Sequence, residues 1–200
     1  MAVMVGRAAD IHMAVGSGTG MTAEACSLVS GTTYQINNTA KRFWDPTATW
    51  IVYDGGVPVA ASGYELVYGT GKIVLKTAPG GAVTVTGAYL SPSQVAQAFK
   101  WTLTFGPNLI DSHTFGDTWE EKTAALKKGT CSFERFYNDN YFHTNASSIF
   151  LLVLYMDQAA GPRYVAVGYL DAASIEAEEQ GLIKESPSFQ ISGWVDYAAT

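Results

Sequence analysis

Along much of the chain, apolar and polar residues alternate with the two-residue period of a strand that has one wet face. The clearest run sets Phe99, Trp101, Leu103 and Phe105 against Lys100, Thr102 and Thr104. Residues 49–53, 64–68, 72–76 and 82–89 read the same way, each rich in the Val, Ile, Tyr and Thr that suit a pleated, half-buried surface. Between them stand Asp54-Gly55-Gly56, Gly69-Thr70-Gly71 and Pro79-Gly80-Gly81, which suit the positive φ angles of tight hairpin turns. Residues 49–90 are therefore expected to form a compact β-meander with the standing of a subdomain.

The run 149–156 is short and continuously apolar, the pattern of a strand buried on both faces, and 163–170 follows the Gly161-Pro162 turn as its hairpin partner. Two further strands are expected near the end. Residues 174–179 alternate Ser174, Glu176 and Glu178 with Ile175 and Ala177, and 188–197 follow Pro187. One helix is predicted over 117–128: Asp117 caps it, Glu120 completes a capping box, Glu121 adds first-turn charge, Lys127 and Lys128 suit the last turn, and Gly129 ends it. Trp119, Thr123 and Leu126 would share its inner face. Around 139–147 the sequence fits a second, weaker helix or an Asn-rich loop.

A chain of 200 residues can bury a full core without metals or disulfides, which favours one elaborated domain over 31–200 preceded by an N-terminal arm or loop segment over 1–30. Charged residues make up only 15%, against about a quarter in ordinary soluble domains. A surface so poor in charge suits a protein packed between copies of itself. The net charge of −6, from 18 acidic and 12 basic side chains, argues against tight binding of nucleic acid, which needs clustered Lys and Arg. The basic pairs Lys41-Arg42 and Lys127-Lys128 are read as exposed chain or helix ends. Met1 to Asp10 lacks the features of a signal peptide and no apolar run is long enough for a membrane span, so the chain is expected to be made in the cytoplasm.

Candidate chemistry is sparse. His12, His113 and His143 have no zinc-type spacing, and Cys26 and Cys131 form no CxxC, so both cysteines are expected as free, buried thiols and no metal or cofactor is expected. Val15-Gly16-Ser17-Gly18-Thr19-Gly20 is GxGxG rather than GxGxxG and lacks a surrounding βαβ unit, so a flexible loop explains it better than a dinucleotide site. Glu176 and Glu178 would share one strand face, but glycosidase acids come from different segments across a cleft, and an acidic strand face is the simpler reading. No nucleophile elbow or P-loop occurs, and an enzyme is not expected. Five Trp and eleven Tyr keep a carbohydrate-binding β-sandwich module as an alternative.

Thr32-Thr33-Tyr34-Gln35-Ile36, then Asp54-Gly55-Gly56 and residues 64–85, resemble the N-terminal part of major tail tube proteins of long-tailed bacteriophages. The second half is similar too: Asp111-Ser112-His113-Thr114-Phe115-Gly116-Asp117, Trp119-Glu120-Glu121, Gly129-Thr130-Cys131-Ser132-Phe133 and Ser188-Phe189-Gln190-Ile191-Ser192-Gly193 follow in that family's order. The resemblance spans most of residues 30–195. It implies a mainly β fold, a β-sandwich or barrel of the tail-tube type with one flanking α-helix, whose subunits form hexameric rings stacked into a tube through which DNA passes. The implied place is the virion tail, after synthesis in the host bacterial cytoplasm. The implied partners are other copies of the chain, tape measure, terminator and distal tail proteins, and DNA in transit without tight binding. A tail terminator or completion protein is the related alternative. Between residues 171 and 186, Asp171, Glu176, Glu178, Glu179 and Glu185 stand against Lys184 alone, so Glu176 and Glu178 are expected to face the lumen or its rim.

Overall fold

The structure, a computed structural model, describes residues 9–111, 122–157, 161–179 and 181–199. Its strands are β1 (Asp10–Val15), β2 (Thr19–Ser30), β3 (Thr33–Ile36), β4 (Ile51–Asp54), β5 (Val57–Pro58), β6 (Tyr64–Val67), β7 (Lys72–Leu75), β8 (Val83–Tyr89), β9 (Ser93–Gln94), β10 (Ala98–Asp111), β11 (Lys122–Phe136), β12 (Ile149–Tyr155), β13 (Arg163–Glu176) and β14 (Lys184–Ala198). A single-turn helix, α1 (Tyr141–Thr144), precedes β12. Two antiparallel sheets of seven strands result, one ordered β10-β11-β14-β13-β12-β1-β9 and the other β5-β4-β8-β2-β3-β7-β6. The protein is mainly β, a sandwich in which the first sheet curls into a half-barrel.

The apolar run of β12 explains the position of the core. Phe150, Leu152 and Leu154 point into the curl of the first sheet, where they meet Ile11, Met13, Phe133, Phe142 and Phe189. Leu151 and Val153 point the other way, toward Val165, Val167 and Leu90 with Phe43 and Trp194 beside them. All five β12 side chains are at most 1% exposed, and each stabilises the fold by about 1.5–3 kcal/mol. The expected hairpin with β13 is present, in register from Ile149↔Tyr169 to Tyr155↔Arg163. A separate cluster of Met21, Ile36, Trp44, Val52, Ile73, Leu75, Val83 and Val85 holds the second sheet together. The sheets meet where Tyr68 stacks on Trp194 with ring centroids 5.9 Å apart and the Gly69 amide donates to Asp196 Oδ2 at 3.1 Å. Gly69 is required there, because a Cβ would lie 2.7 Å from that of Val165.

The predicted 49–90 strands form β4, β6, β7 and β8, but they are not a self-contained meander: β4 pairs with β8 and β6 with β7, and β2 and β3 stand between these pairs in the second sheet. Gly55 and Gly56, with φ of +57° and +86°, make the two-residue turn between Asp54 and Val57. Gly80 and Gly81 serve differently: their amides donate to Asp54 Oδ2 and Oδ1 at 2.8 and 2.6 Å, fastening one turn to the other.

The described part of the N-terminal thirty residues corrects the expectation of an arm or loop. β1 pairs with β12 on one side and with the short edge strand β9 on the other, and β2 bridges two ladders of the second sheet. A bulge at Ala23, whose φ is +49°, turns β2 from β8 toward β3. The glycine-rich link between β1 and β2 is a loop, but it is pinned: the Gly18 amide donates to buried Asp45 Oδ2 at 2.8 Å.

The predicted helix over 117–128 is also corrected. Residues 122–128 belong to β11, paired with β10 from Asp111↔Lys122 to Phe105↔Gly129, and Asp117, Trp119, Glu120 and Glu121 lie outside the described residues. Ala, Leu and Lys favour helix locally, but a twelve-residue helix is marginal alone in water and gives way to a long cross-strand ladder. The flanking helix is instead α1, within the 139–147 stretch that read as helix or loop.

Candidate assembly surface

Two hairpins of the first sheet run past their neighbours in opposite directions. β14 pairs with β11 only between Thr130↔Gln190 and Phe136↔Lys184, so Lys122–Gly129 has β10 as its one recorded ladder partner. This two-stranded arm carries Phe105, Leu109, Ile110 and Leu126, with Leu126 89% exposed. A lone two-stranded ribbon is marginal in water, and β10, an edge strand among the described residues, has one side open to an incoming strand there.

At the other end, β12 covers β13 only as far as Tyr169, and the β13–β14 hairpin continues to Glu176↔Lys184. Asp171, Glu176, Glu178 and Glu179 are exposed there, as are Ile175, Leu182 and Ile183. Residues 174–176 are thus the end of β13 rather than a strand of their own. Glu176 stands opposite Lys184 in the ladder, whereas Glu178 lies beyond the strand, with its carboxylate against Gly181. The two acids share one exposed turn, not one strand face.

Glu185 leaves the acidic run altogether, because it is buried. Arg135 Nε donates to Glu185 Oε2 at 2.7 Å, and Arg135 Nη2 donates to Asp139 Oδ1 at 2.7 Å. The guanidinium lies 4.7 Å from the centroid of the Phe142 ring. Burial pulls the Arg135 pKa down, but its hydrogen bonds to Asp139 and Glu185 and their charges outweigh this and hold it above the usual value. The same bond from Arg135 holds Asp139 below the ordinary aspartate range. Asp139 therefore contributes stability that is present above its unfolded pKa and is lost as pH falls through the lowered folded value. This lock roots the acidic turn on β11 and α1. The fifty residues between Arg135 and Glu185 hid it from any reading of local pattern.

The residues considered for chemistry remain apart. His12 Nε2 lies 3.1 Å from Asp10 Oδ2, His143 sits on α1, and His113 is outside the described residues. Among the described residues no three His, Cys, Asp or Glu side chains gather as a metal site. Both cysteines are free; Cys131 is buried and Cys26 half-buried. Burial pushes each thiol up to about 12, with Glu24 adding to the effect at Cys26, so neither is a ready thiolate. Among the described residues no helix is long and apolar enough to cross a membrane.

No protein-family model and no curated protein matches the sequence. Among solved structures, the chain is similar to the tail of an empty GTA particle refined with C6 symmetry, with a TM-score of 0.45 and 10% identity over 55% of this chain and 87% of that one. It is similar to a chain of the native gene transfer agent virion, with a TM-score of 0.42 and 11% identity over 54% of this chain and 89% of the other. The SPP1 tail tube is similar with a TM-score of 0.42 and 8% identity, over 76% of this chain and 77% of that one. These three structures are a tail, a virion and a tail tube.

Proposed function

We propose that the chain is a structural protein of a phage-type virion tail, the subunit of hexameric rings that stack into a tube for DNA. The observation that carries this is the β10–β11 arm, a two-stranded ribbon with a free edge and exposed Phe105, Leu109, Ile110 and Leu126. Such an arm gains stability when a second copy covers it, and edge strands that are a hazard in a monomer become joints in a ring. The sequence resemblance to tail tube proteins and the low charge content support the same reading. Tape measure, terminator and distal tail proteins are the neighbours such a tube would have. Negative-stain microscopy of the purified protein is expected to show rings or tubes. A monodisperse monomer with measurable glycan affinity would instead favour a sugar-binding module.

In this proposal Glu176 and Glu178, on the acidic turn, face the lumen or its rim. A duct for a polyanion gains from walls that offer phosphates no cationic contact, and the net charge of −6 suits that task. Replacing Glu176 and Glu178 together by Lys is expected to leave tubes intact while DNA is retained inside them at low ionic strength. Double-mutant tubes that release DNA like the parent would remove the lumen assignment.

A further inference from the structure

Two arginines stand at the end of the first sheet opposite the acidic turn. Arg163 opens β13, and Arg42 follows the short 3-10 turn before Phe43. The Arg163 guanidinium carbon lies 5.6 Å from the centroid of Phe43 and 5.9 Å from that of Tyr155, so aromatic faces hold the group in place. Its recorded hydrogen bond runs from Nη1 to the Gly161 carbonyl at 3.1 Å. Nε of Arg42 and Nε of Arg163 are both buried without a partner. Neither guanidinium has an ion pair among the described residues, although Lys41, Lys100 and Arg135 all do. Burial, reinforced by the nearby Arg163 charge, holds Arg42 below the ordinary arginine range. Each guanidinium keeps a buried, unsatisfied Nε–H and has no ion-pair partner among the described residues, so a carboxylate that supplies the missing negative charge is the natural ligand.

The same hairpin carries the complementary charge at its far end. β13 has 14 residues, so its ends Arg163 and Glu176 stand roughly 43 Å apart at about 3.3 Å per residue. Glu176 faces Lys184 and Glu178 folds against Gly181, which leaves Glu179 as an exposed carboxylate at the head of the turn. A molecule with an acidic tip at one end and, at the other, arginines without an ion pair among the described residues is complementary to a copy of itself placed head to tail. We infer that the acidic turn of one copy docks at the Arg42–Arg163 site of the next, with the Glu179 carboxylate bound by the two guanidiniums. This rests on the self-assembly reading above and gives it a polarity and a contact. It leaves Glu176 and Glu178 at the rim.

Charge exchange tests it with two variants of the full chain, Arg163→Glu and Glu179→Lys. Each alone sets like charges across the contact, and each is expected to remain as unassembled subunits by light scattering and negative stain. Mixed in equal amounts, the two are expected to recover the assemblies, because every junction then joins opposite charges. Glu179 is on an exposed turn, so Glu179→Lys folds whatever Arg163→Glu does, and its assembly to wild-type extent would by itself overturn the inference. So would mixing without recovery when both variants are folded. Inorganic phosphate provides the remaining arm. If it raises the melting temperature in wild type but not in Arg42→Gln, while assembly survives every substitution, the site takes a free oxyanion and not a second copy. A wild-type protein that never assembles overturns both this contact and the tube reading; one that assembles regardless of these charges overturns the contact alone.

Discussion

Replacing Glu185 by alanine is expected to destabilise the subunit by about 3–5 kcal/mol, the usual consequence of stranding one member of a buried ion pair. Arg135 and Glu185 are each 3% exposed, so water cannot take over the lost contact. Asp139 would still accept from Nη2, but Nε would lose its partner beside the apolar ring of Phe142. Removing both charges is a different experiment. A paired Arg135→Met and Glu185→Leu exchange is expected to recover most of the loss, because desolvation of the two ions cancels much of their attraction. Urea denaturation of dilute, unassembled subunits measures both effects; at higher concentration self-association would add its own stabilisation. An alanine variant as stable as the parent would show that the pair contributes no net stability.

Phe189→Ala is expected to cost a similar amount, about 3–5 kcal/mol, for a purely apolar reason. Phe189 is fully buried and meets three rings, with centroids of Phe150, Phe133 and Phe142 at 5.2, 5.8 and 6.1 Å. These rings come from β11, α1, β12 and β14, so Phe189 ties the curl of the sheet to the short helix that fills it. Deletion would leave a cavity that distant strand backbones cannot close. Because Phe142 also stacks under Arg135, the losses from Phe189→Ala and Glu185→Ala should depart from additivity when combined. Urea midpoints of the singles and the double give that coupling directly. A Phe189→Ala loss below about 1 kcal/mol would mean the site collapses on itself and that the aromatic cluster is softer than its packing suggests.

Most strands were legible because a strand's signature is local. Period-two alternation placed β4, β6, β7, β8 and the start of β10, and the unbroken apolar run with the Gly161-Pro162 turn revealed both β12 and its pairing with β13. The failures share a cause. Residues 122–128 have helix-forming composition, and nothing within them reports that β10 offers a ladder from Asp111 to Phe105. β1 and β2 surround a glycine-rich link that reads as a loose loop until Asp45, 27 residues away, accepts its amide.

The assembly surface divides along the same line. Sequence by itself determined that the chain is mainly β, poor in charge and acidic near residue 176. Only the tertiary structure separated Glu185, buried against Arg135, from the exposed acids of the same run. Only it left Arg42 and Arg163, 121 positions apart by their numbers, close enough for their charges to act on each other, with neither in an ion pair among the described residues. Periodicity and turn chemistry act between residues a few positions apart, so they are written in sequence order. Burial, ion pairing and the unfilled hydrogen-bonding capacity of a surface depend on which distant segments meet, and that is decided when the sheets close.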